Sequence, residues 1–271
     1  MALALLNVGL GWVLIAAGLL LLPLGVVSTR AAAEIEKKDK EIGPFLRSFG
    51  AVAMATRTTL AQALDQIDLN SFPSLQADMK RLSYRFKALI SPALCWRKFA
   101  LETGSRLIGD TITIFHDAIE LGGDADMVGS LCSQFATTEV MLRAKRRVIA
   151  STFTGLTVVM HAVIAALMVM ILEVIRNFTE VVAQASGFQG NEGLATLQLP
   201  MLSFGSPLLG TLGTITCAMV VVLALVNTFA IIAADGGHLL KATLHLSILL
   251  ALSGLCFLLL PPFVDSILKV G

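Results

Sequence analysis

The chain has 271 residues, of which 56% are hydrophobic and only 14% are charged, and its net charge is +1. In soluble domains about a quarter of all residues are charged, so this composition excludes an ordinary soluble protein and indicates an integral membrane protein. The charges are also uneven, because 17 of the 20 Lys and Arg and 14 of the 19 Asp and Glu lie between Arg30 and Arg147. The sequence therefore predicts a polar domain over residues 30–147, long enough for its own core, in an otherwise membrane-embedded chain.

The first predicted element is a transmembrane helix over residues 1–29. Residues 2–27 carry no charge, and the positive charges of Arg30, Lys37, Lys38 and Lys40 follow them. A secretory signal would carry its positive charges before the apolar stretch. This order predicts an uncleaved anchor whose N-terminus is outside the cell and whose next segment is cytoplasmic.

The polar domain, residues 30–147, is predicted to be an all-helical bundle of about six helices. Helix-start and helix-stop signals divide it: Thr58 or Thr59, Pro73, Ser91-Pro92, Gly104-Ser105 and Gly122-Gly123. Apolar residues recur between these signals at helical spacing and are expected to face the core. They are Ile42, Phe45, Leu46, Phe49, Leu60, Ala63, Leu64, Ile67, Met79, Leu82, Phe86, Leu94, Trp96, Phe99, Leu107, Ile108, Ile112 and Phe115.

One long helix is predicted over residues 124–173. Its first half is polar and is expected to bury one face, made of Val128, Leu131, Cys132, Phe135 and Val140. Its second half, residues 148–171, has no charged residue and is long enough to cross a bilayer. Neither Pro nor Gly interrupts residues 135–153, so a single helix is expected to pass from the polar domain into the membrane.

The rest of the chain is predicted to complete a protein with four transmembrane helices. The second span covers residues 148–175, an extracytoplasmic loop 176–204, the third span 205–234, a cytoplasmic turn 235–241, the fourth span 242–262 and an extracytoplasmic tail 263–271. Lys and Arg concentrate in the polar domain and the turn, with only Arg176 and Lys269 on the other side. The positive-inside rule therefore places the polar domain in the cytoplasm of a multi-pass cell-membrane protein, with both termini outside.

No sequence pattern for catalysis is present. The chain lacks the Gly-x-x-x-x-Gly-Lys-Ser/Thr phosphate loop, the His-Glu-x-x-His zinc pair and the Gly-x-Ser-x-Gly elbow. Its four cysteines show no CxxC spacing, which argues against a disulfide framework or a zinc site. We therefore expect no catalytic residues, no metal and no cofactor, and no aromatic or basic pattern points to nucleic acid.

Basic residues form the main candidate site. A cluster at the end of the polar domain could lie against anionic lipid headgroups, and it could also receive an acidic face of a cytoplasmic partner. Other basic residues of the domain could extend that surface. The candidate set is Arg143, Lys145, Arg146, Arg147, Arg47, Arg57, Lys80, Arg81, Arg85 and Lys87.

Two polar residues of the second span are candidates for an ion path, because charge in lipid often marks one. His161 lies near the middle of the span and Glu173 near its outer end, three residues before Arg176. The alternative for His161 is a neutral side chain that hydrogen-bonds a neighbouring helix. The alternative for Glu173 is a surface or snorkelling pair with Arg176. A channel or transporter that uses His161 and Glu173 is thus one functional hypothesis, and an inert membrane anchor is another.

Several motifs resemble the type II secretion F platform superfamily. Residues 43–50 (GPFLRSFG) and 60–64 (LAQAL) are similar to the opening of its cytoplasmic domain. Later stretches resemble its archaeal branch, the FlaJ (ArlJ) membrane platforms of the archaellum motor. They are Trp96, Phe99 and residues 102–105 (ETGS), 121–124 (LGGD), 142–146 (LRAKR), 150–153 (ASTF) and 160–162 (MHA). The family pattern has a proline where this chain has Val159, and full-length members carry a related region and more spans ahead of this one. The chain looks like a C-terminal half.

The resemblance implies a non-enzymatic, homodimeric platform of a type IV pilus-like machine. A hexameric secretion-type ATPase (FlaI/ArlI-like) would bind it from the cytoplasm, and it would couple ATP turnover to the assembly and rotation of a filament of archaellin subunits. The platform of an archaeal type IV pilus, built from pilins, or of a related secretion system is the alternative that the resemblance leaves open.

Overall fold

The computed structural model of the chain describes residues 2–56, 59–187, 206–237 and 239–268, and within these ranges it contains helices and no strand. This confirms the prediction of an all-α protein. The helices, numbered in chain order, are α1 (Ala2–Thr56), α2 (Leu60–Asp65), α3 (Gln76–Lys87), α4 (Pro92–Thr103), α5 (Arg106–Glu120), α6 (Ala125–Gly187), α7 (Ser206–Asp235) and α8 (Ala242–Leu268).

The chain divides into two compact units. The apolar unit comprises the residues up to Ser28 and those from Ile149 onward, and the polar unit comprises Thr29–Val148. Both boundaries fall inside helices, since α1 and α6 each contribute residues to both units. The continuity of α6 was predicted. The continuity of α1 was not, although no Gly or Pro occurs between Val26 and Ile42.

The polar unit is a six-helix bundle, as predicted, made by its parts of α1 and α6 together with α2, α3, α4 and α5. Its core is aromatic at the centre. Phe45 and Phe49 of α1 stack with ring centroids 5.4 Å apart, and Phe49 also lies 5.7 Å from Trp96 and 5.5 Å from Phe115. All four side chains are buried. Aromatic rings at these separations bury large apolar areas, so this cluster fixes α1 against α4 and α5.

Three predicted helix boundaries are confirmed in detail. Gly104 ends α4 with φ of 68°, a left-handed conformation that favours glycine, and the Ser105 Oγ then accepts a hydrogen bond from the Ile108 N–H at 3.2 Å. Gly122 ends α5 in the same way, with φ of 88°. The Asp124 carboxylate caps α6 by accepting hydrogen bonds from Asp126 N–H at 2.9 Å and Met127 N–H at 3.0 Å.

The prediction that Pro73 starts a helix is wrong, because α3 begins at Gln76. The cause is a contact from far along the chain. The Glu41 carboxylate of α1 accepts hydrogen bonds from Ser74 N–H at 2.9 Å and Leu75 N–H at 3.1 Å. The carboxylate supplies an acceptor for these amides just before α3, where the Leu75 N–H also donates to the Phe72 carbonyl at 3.1 Å, and an acidic group there complements the helix dipole. The start of α3 is therefore set by tertiary structure.

The predicted inward face of α6 is partly wrong. Cys132 is buried as expected, but Leu131 and Phe135 are 56% and 50% exposed. Small residues face α1 instead: a Cβ on Gly129 would lie 2.6 Å from the Leu46 carbonyl oxygen. This close approach of the two backbones leaves no room for a large side chain. Leu94, also predicted to face the core, is 47% exposed.

The apolar unit contains four helices with an apolar stretch long enough to cross a membrane, found in α1, α6, α7 and α8 of the described residues. Its core includes Leu14, Val169, Val220, Leu249 and Phe257, which come from all four helices. The four predicted transmembrane helices are thereby confirmed as elements.

Glycines spaced seven residues apart bring α1 against α8. A Cβ added to Gly11 would lie 3.1 Å from a backbone atom of Gly254. At Gly18 it would lie 2.8 Å from the backbone of Ser247, and at Gly25 it would lie 2.6 Å from the backbone of Leu244. Helices in membranes pack through such small residues, because backbones can then approach closely. The stripe is visible in the sequence, but the sequence analysis did not use it.

Candidate functional site

Five of the ten predicted basic site residues form ion pairs with acidic residues of the polar unit. On α3, Arg81 lies 2.9 Å from Asp78, and Lys87 lies 3.1 Å from Asp65. Arg85 pairs with Glu102 of α4. Sequence reasoning missed the pairs of Lys87 and Arg85 because their acidic partners, on α2 and α4, are distant along the chain, and it overlooked the local pair of Arg81 with Asp78. The charges of Arg81, Arg85 and Lys87 are thus already partly engaged within the bundle.

Arg143 and Arg147 of α6 pair with α1. Arg143 lies 3.3 Å from the Asp39 carboxylate and 3.1 Å from Glu139, and Arg147 pairs with Glu36. The Asp39 carboxylate also accepts a hydrogen bond from the Ser105 hydroxyl, which brings in the start of α5. We call this group, Glu36, Asp39, Arg143 and Arg147, the α1–α6 charge cluster. It ties together the two helices that belong to both units.

The two acids of the α1–α6 charge cluster have pKa values shifted in opposite directions. Burial raises the pKa of Asp39 above its ordinary value of 3.8, although the Ser105 hydroxyl and Arg143 favour the charged form. Partial burial also acts to raise the pKa of Glu36, but hydrogen bonds and charge from Lys40 and Arg147 outweigh it and hold that pKa below 4.5. Glu36 is therefore the firmer anion of the pair.

Three further members of the predicted basic set are not held in this way. Arg47, Lys80 and Lys145 are exposed and form no ion pair within the described part of the chain. Arg146 is also exposed, and Arg57 lies outside the described residues. Five of the ten candidates are thus paired within the polar unit, and Arg47, Lys80 and Lys145 carry no such pair among the described residues.

His161 is fully buried and hydrogen-bonds two neighbouring helices. Its Nε2 lies 2.8 Å from the Ser253 Oγ of α8, and its Nδ1 lies 3.2 Å from the Asn227 Nδ2 of α7. The Ser253 hydroxyl donates to the Leu249 carbonyl at 2.8 Å, so it accepts from His161. The network thus assigns the tautomer in which Nε2 carries the proton and Nδ1 accepts from the Asn227 amide.

Both ring nitrogens of His161 are satisfied by this network, which joins α6, α7 and α8. A proton relay needs a group that can exchange its partners, whereas a saturated neutral imidazole holds helices together. The geometry therefore favours the alternative in which His161 hydrogen-bonds neighbouring helices.

Glu173 and Arg176 form an ion pair of 2.8 Å, with side chains only 7% and 11% exposed. The sequence analysis expected a surface or snorkelling pair, so this burial is a correction. Glu173 follows His161 by twelve residues on one helix, which corresponds to about 18 Å. The two residues are thus separate polar sites and not one constellation.

Among the described residues, metal-ligating side chains come together at the end of α5, which no sequence pattern indicated. On α5, ligand atoms of His116, Asp117 and Glu120 lie within 4.8 Å of one another. Both carboxylates lie 3.5 Å from the His116 ring nitrogens, so ordinary side-chain pairing accounts for this group. All four cysteines are free, and burial raises the pKa of Cys95 and Cys132.

Comparison with known proteins finds a distant relative. The chain is 22% identical over 246 residues to flagella accessory protein J of Methanococcus voltae. The alignment covers 90% of this chain and 43% of that relative, so the chain spans less than half the length of the relative. No family model matches the chain. No solved structure matches it.

Proposed function

We propose that this chain is a membrane platform of an archaellum-type motor, without catalytic activity of its own, that couples a soluble hexameric ATPase to the assembly and rotation of a filament. One observation carries the proposal: the similarity to flagella accessory protein J extends over 90% of the chain and thus includes both units. The motifs noted in the sequence resemble the same archaeal platforms. Filament subunits of the archaellin class and a second copy of the chain are the further partners proposed.

The helices support this proposal by their continuity. A platform must pass force from an ATPase to a filament, and it does so best through elements without a break. α1 and α6 each cross a unit boundary without interruption of the helix, and the α1–α6 charge cluster joins them. In the proposed topology the polar unit is cytoplasmic, where an ATPase would bind it.

The exposed basic residues have a proposed role in contacts outside the chain. Lys145 precedes the apolar part of α6 by three residues, so it is suited to anionic headgroups. Arg47 and Lys80 are available to a protein partner. For Arg143 and Arg147 we propose a mainly internal role in the α1–α6 charge cluster, because carboxylates already hold them.

Deletion of the gene in its host tests the proposed function. We expect loss of swimming and of archaellum filaments, both restored by an epitope-tagged copy that copurifies with a hexameric secretion ATPase. Loss of adhesive pili with normal swimming would instead favour the platform of a type IV pilus. Normal motility, normal pili and no copurified ATPase would contradict both.

The proposed coupling is tested within α6. Ile149 is 73% exposed, and a proline there would remove its N–H donor and clash with the carbonyl of Lys145, at a cost of about 3 kcal/mol to the helix. We expect Ile149→Pro to stop swimming while the protein still reaches the membrane and copurifies with the ATPase. Ile149→Ala, the matched control, should swim normally. Equal swimming of the two variants would remove the requirement for a continuous α6.

A further inference from the structure

An open pocket lies at one end of the polar unit, away from the α1–α6 charge cluster. Its volume is about 550 Å³. It is lined by the end of α1, the start of α2 and the turn between α5 and α6, through Ala53, Met54, Thr59, Leu60, Ile119, Gly122, Gly123, Asp124 and Ala125. The pocket lies near the start of α6 at Ala125, whereas Arg143 and Arg147 lie 18 and 22 residues further along that helix, about 27 and 33 Å away.

Apolar side chains stand exposed at this end of the unit. Met54 lines the pocket and is 48% exposed, while Leu121 and Met127 flank its α5–α6 turn at 89% and 66%. A single exposed Leu or Met is ordinary, but Met54 in the pocket with two more beside its α5–α6 turn marks a surface suited to an apolar anchor. Methionine in particular adapts to the shape of whatever packs on it.

Four carboxylates surround the same turn. Asp117 and Glu120 end α5 and are each 65% exposed, and Asp124 and Asp126 begin α6 and are also exposed. We call these four residues the acidic rim. Within the described residues, no Lys or Arg forms an ion pair with any of them. His116 lies 3.5 Å from two of the carboxylates. Arg57 is close to this end in sequence and lies outside the described residues, and even with it the rim is net negative.

We propose that the pocket and its acidic rim are the docking site for a basic segment of the soluble ATPase partner, with an apolar side chain of that segment seated in the pocket. The inference rests on the proposed function for the identity of the partner. The partner segment is inferred to be basic from charge complementarity, because an acidic segment would be repelled by the four carboxylates of the rim. Buried apolar anchors supply most of the binding energy at such interfaces, while charges at the rim set the rate and specificity of association.

This site differs from the basic surface expected from the sequence. The candidate basic residues Arg143 and Arg147 are engaged by α1 carboxylates, whereas the acidic rim has no such cationic partner within the described ranges. A partner that docks here would therefore present Lys and Arg around a Leu, Ile, Met or Phe.

Copurification of the ATPase with full-length variants from the host membrane tests the inference. Glu120→Lys combined with Asp126→Lys should lower the recovered ATPase at least tenfold at low salt. Asp110→Lys is the matched control, since Asp110 is on the same helix and is 61% exposed, but lies near the other end of α5. It should leave recovery unchanged.

Met54→Asp distinguishes the contribution of the apolar contact in the pocket from that of the charges on the acidic rim. It removes an apolar side chain from the pocket but adds negative charge to the rim, so pure charge attraction would leave recovery equal or higher. We expect a tenfold loss. A photo-crosslinking residue in place of Leu121 should become joined to the ATPase.

The outcomes separate the two proposals. Wild-type recovery of the ATPase with unchanged recovery in the rim and Met54 variants would overturn the docking site and leave the proposed function standing. Equal loss in Asp110→Lys would show a non-specific charge effect and would likewise overturn it. Absence of the ATPase from the wild-type preparation would overturn the proposed function and the docking site together.

Discussion

Two acids of the polar unit have pKa values displaced in opposite directions, and this gives opposite pH dependence. A hydrogen bond and charge from Arg85 lower the pKa of Glu102 below 4.5, so Glu102 stabilises the fold above about pH 4.5 and this stability is lost as pH falls through the lowered folded pKa. Burial raises the pKa of Asp39 above 3.8, so its charged form costs stability at neutral pH and the cost is relieved as pH falls through the raised folded pKa.

We therefore expect Glu102→Gln to destabilise the full chain at pH 7 by no more than about 1 kcal/mol, with a difference from wild type that vanishes in acid. Asp39→Asn should be relatively more favourable at pH 7 than in acid. Unfolding in detergent followed by the fluorescence of buried Trp96, in a Trp12→Phe background, measures both. If the stability differences of the two variants from wild type changed with pH in the same direction, the opposite pKa shifts of Glu102 and Asp39 would be contradicted.

At His161 the hydrogen-bond network makes a different prediction. His161→Leu would leave the Asn227 amide without its imidazole partner and remove the link to Ser253, so the free energy of unfolding should fall by about 0.6–1.7 kcal/mol. Val163→Leu, at a half-exposed position of the same helix, should have little effect. Thermal unfolding in detergent measures the loss. Unchanged stability together with abolished ion flux would instead support the channel hypothesis.

The α1–α8 contact gives a prediction for whole elements. Leucine at Gly18 would place its Cβ 2.8 Å from the Ser247 carbonyl oxygen, so the helices must separate. We expect Gly18→Leu to destabilise the apolar unit by about 1–3 kcal/mol, the usual cost of overpacking. Gly9→Leu is the control, because nothing lies within 4 Å of a Cβ there. Equal melting temperatures for the two variants in detergent would show that α1 and α8 are not in close contact.

Elements were predictable from the sequence wherever local chemistry decides them. Gly104, Gly122 and Asp124 ended or began helices as expected, because left-handed backbone and side-chain caps are local properties. The start of α3 was not predictable, since Glu41 sets it from 33 residues away. The exposed positions of Leu131 and Phe135 were missed for a related reason. Periodicity shows that a helix has an apolar stripe, but only the close approach of Gly129 to α1 shows that a stripe of small residues is the one buried.

For the candidate site, the sequence predicted which basic residues belong to it but not which acidic residues they pair with. The basic residues were identified, but Arg85, Arg143 and Arg147 pair with acids that are 17, 104 and 111 residues away along the chain, and only the second partner of Arg143, Glu139, is local. Spacing in sequence carries no information about such pairs. The acidic rim was missed because its members belong to two helices joined by a turn, and each helix alone has only two of them.

On the scale of the whole molecule, the two units differ in the way they hold their helices. Both units contain close glycine contacts, but the polar unit adds aromatic packing and ion pairs, whereas the apolar unit adds an apolar core and a few buried hydrogen bonds. The difference follows from the solvent, since apolar burial drives folding in water but distinguishes little between lipid and protein in a bilayer. α1 and α6 contribute to both units, and in the polar unit they combine close backbone contacts with ion pairs.

The proposed topology predicts which side of the membrane each exposed position faces. Leu89 is 93% exposed on the polar unit, and Phe178 is 66% exposed near the far end of α6. Cysteine at Leu89 should react with a membrane-impermeant maleimide only after the cells are opened, whereas cysteine at Phe178 should react in intact cells. The wild-type chain serves as the background, because its polar-unit thiols, Cys95 and Cys132, are buried and their pKa values are raised. Labelling of Leu89→Cys in intact cells would place the polar unit outside, where no ATP-driven partner could reach it, and would overturn the platform proposal.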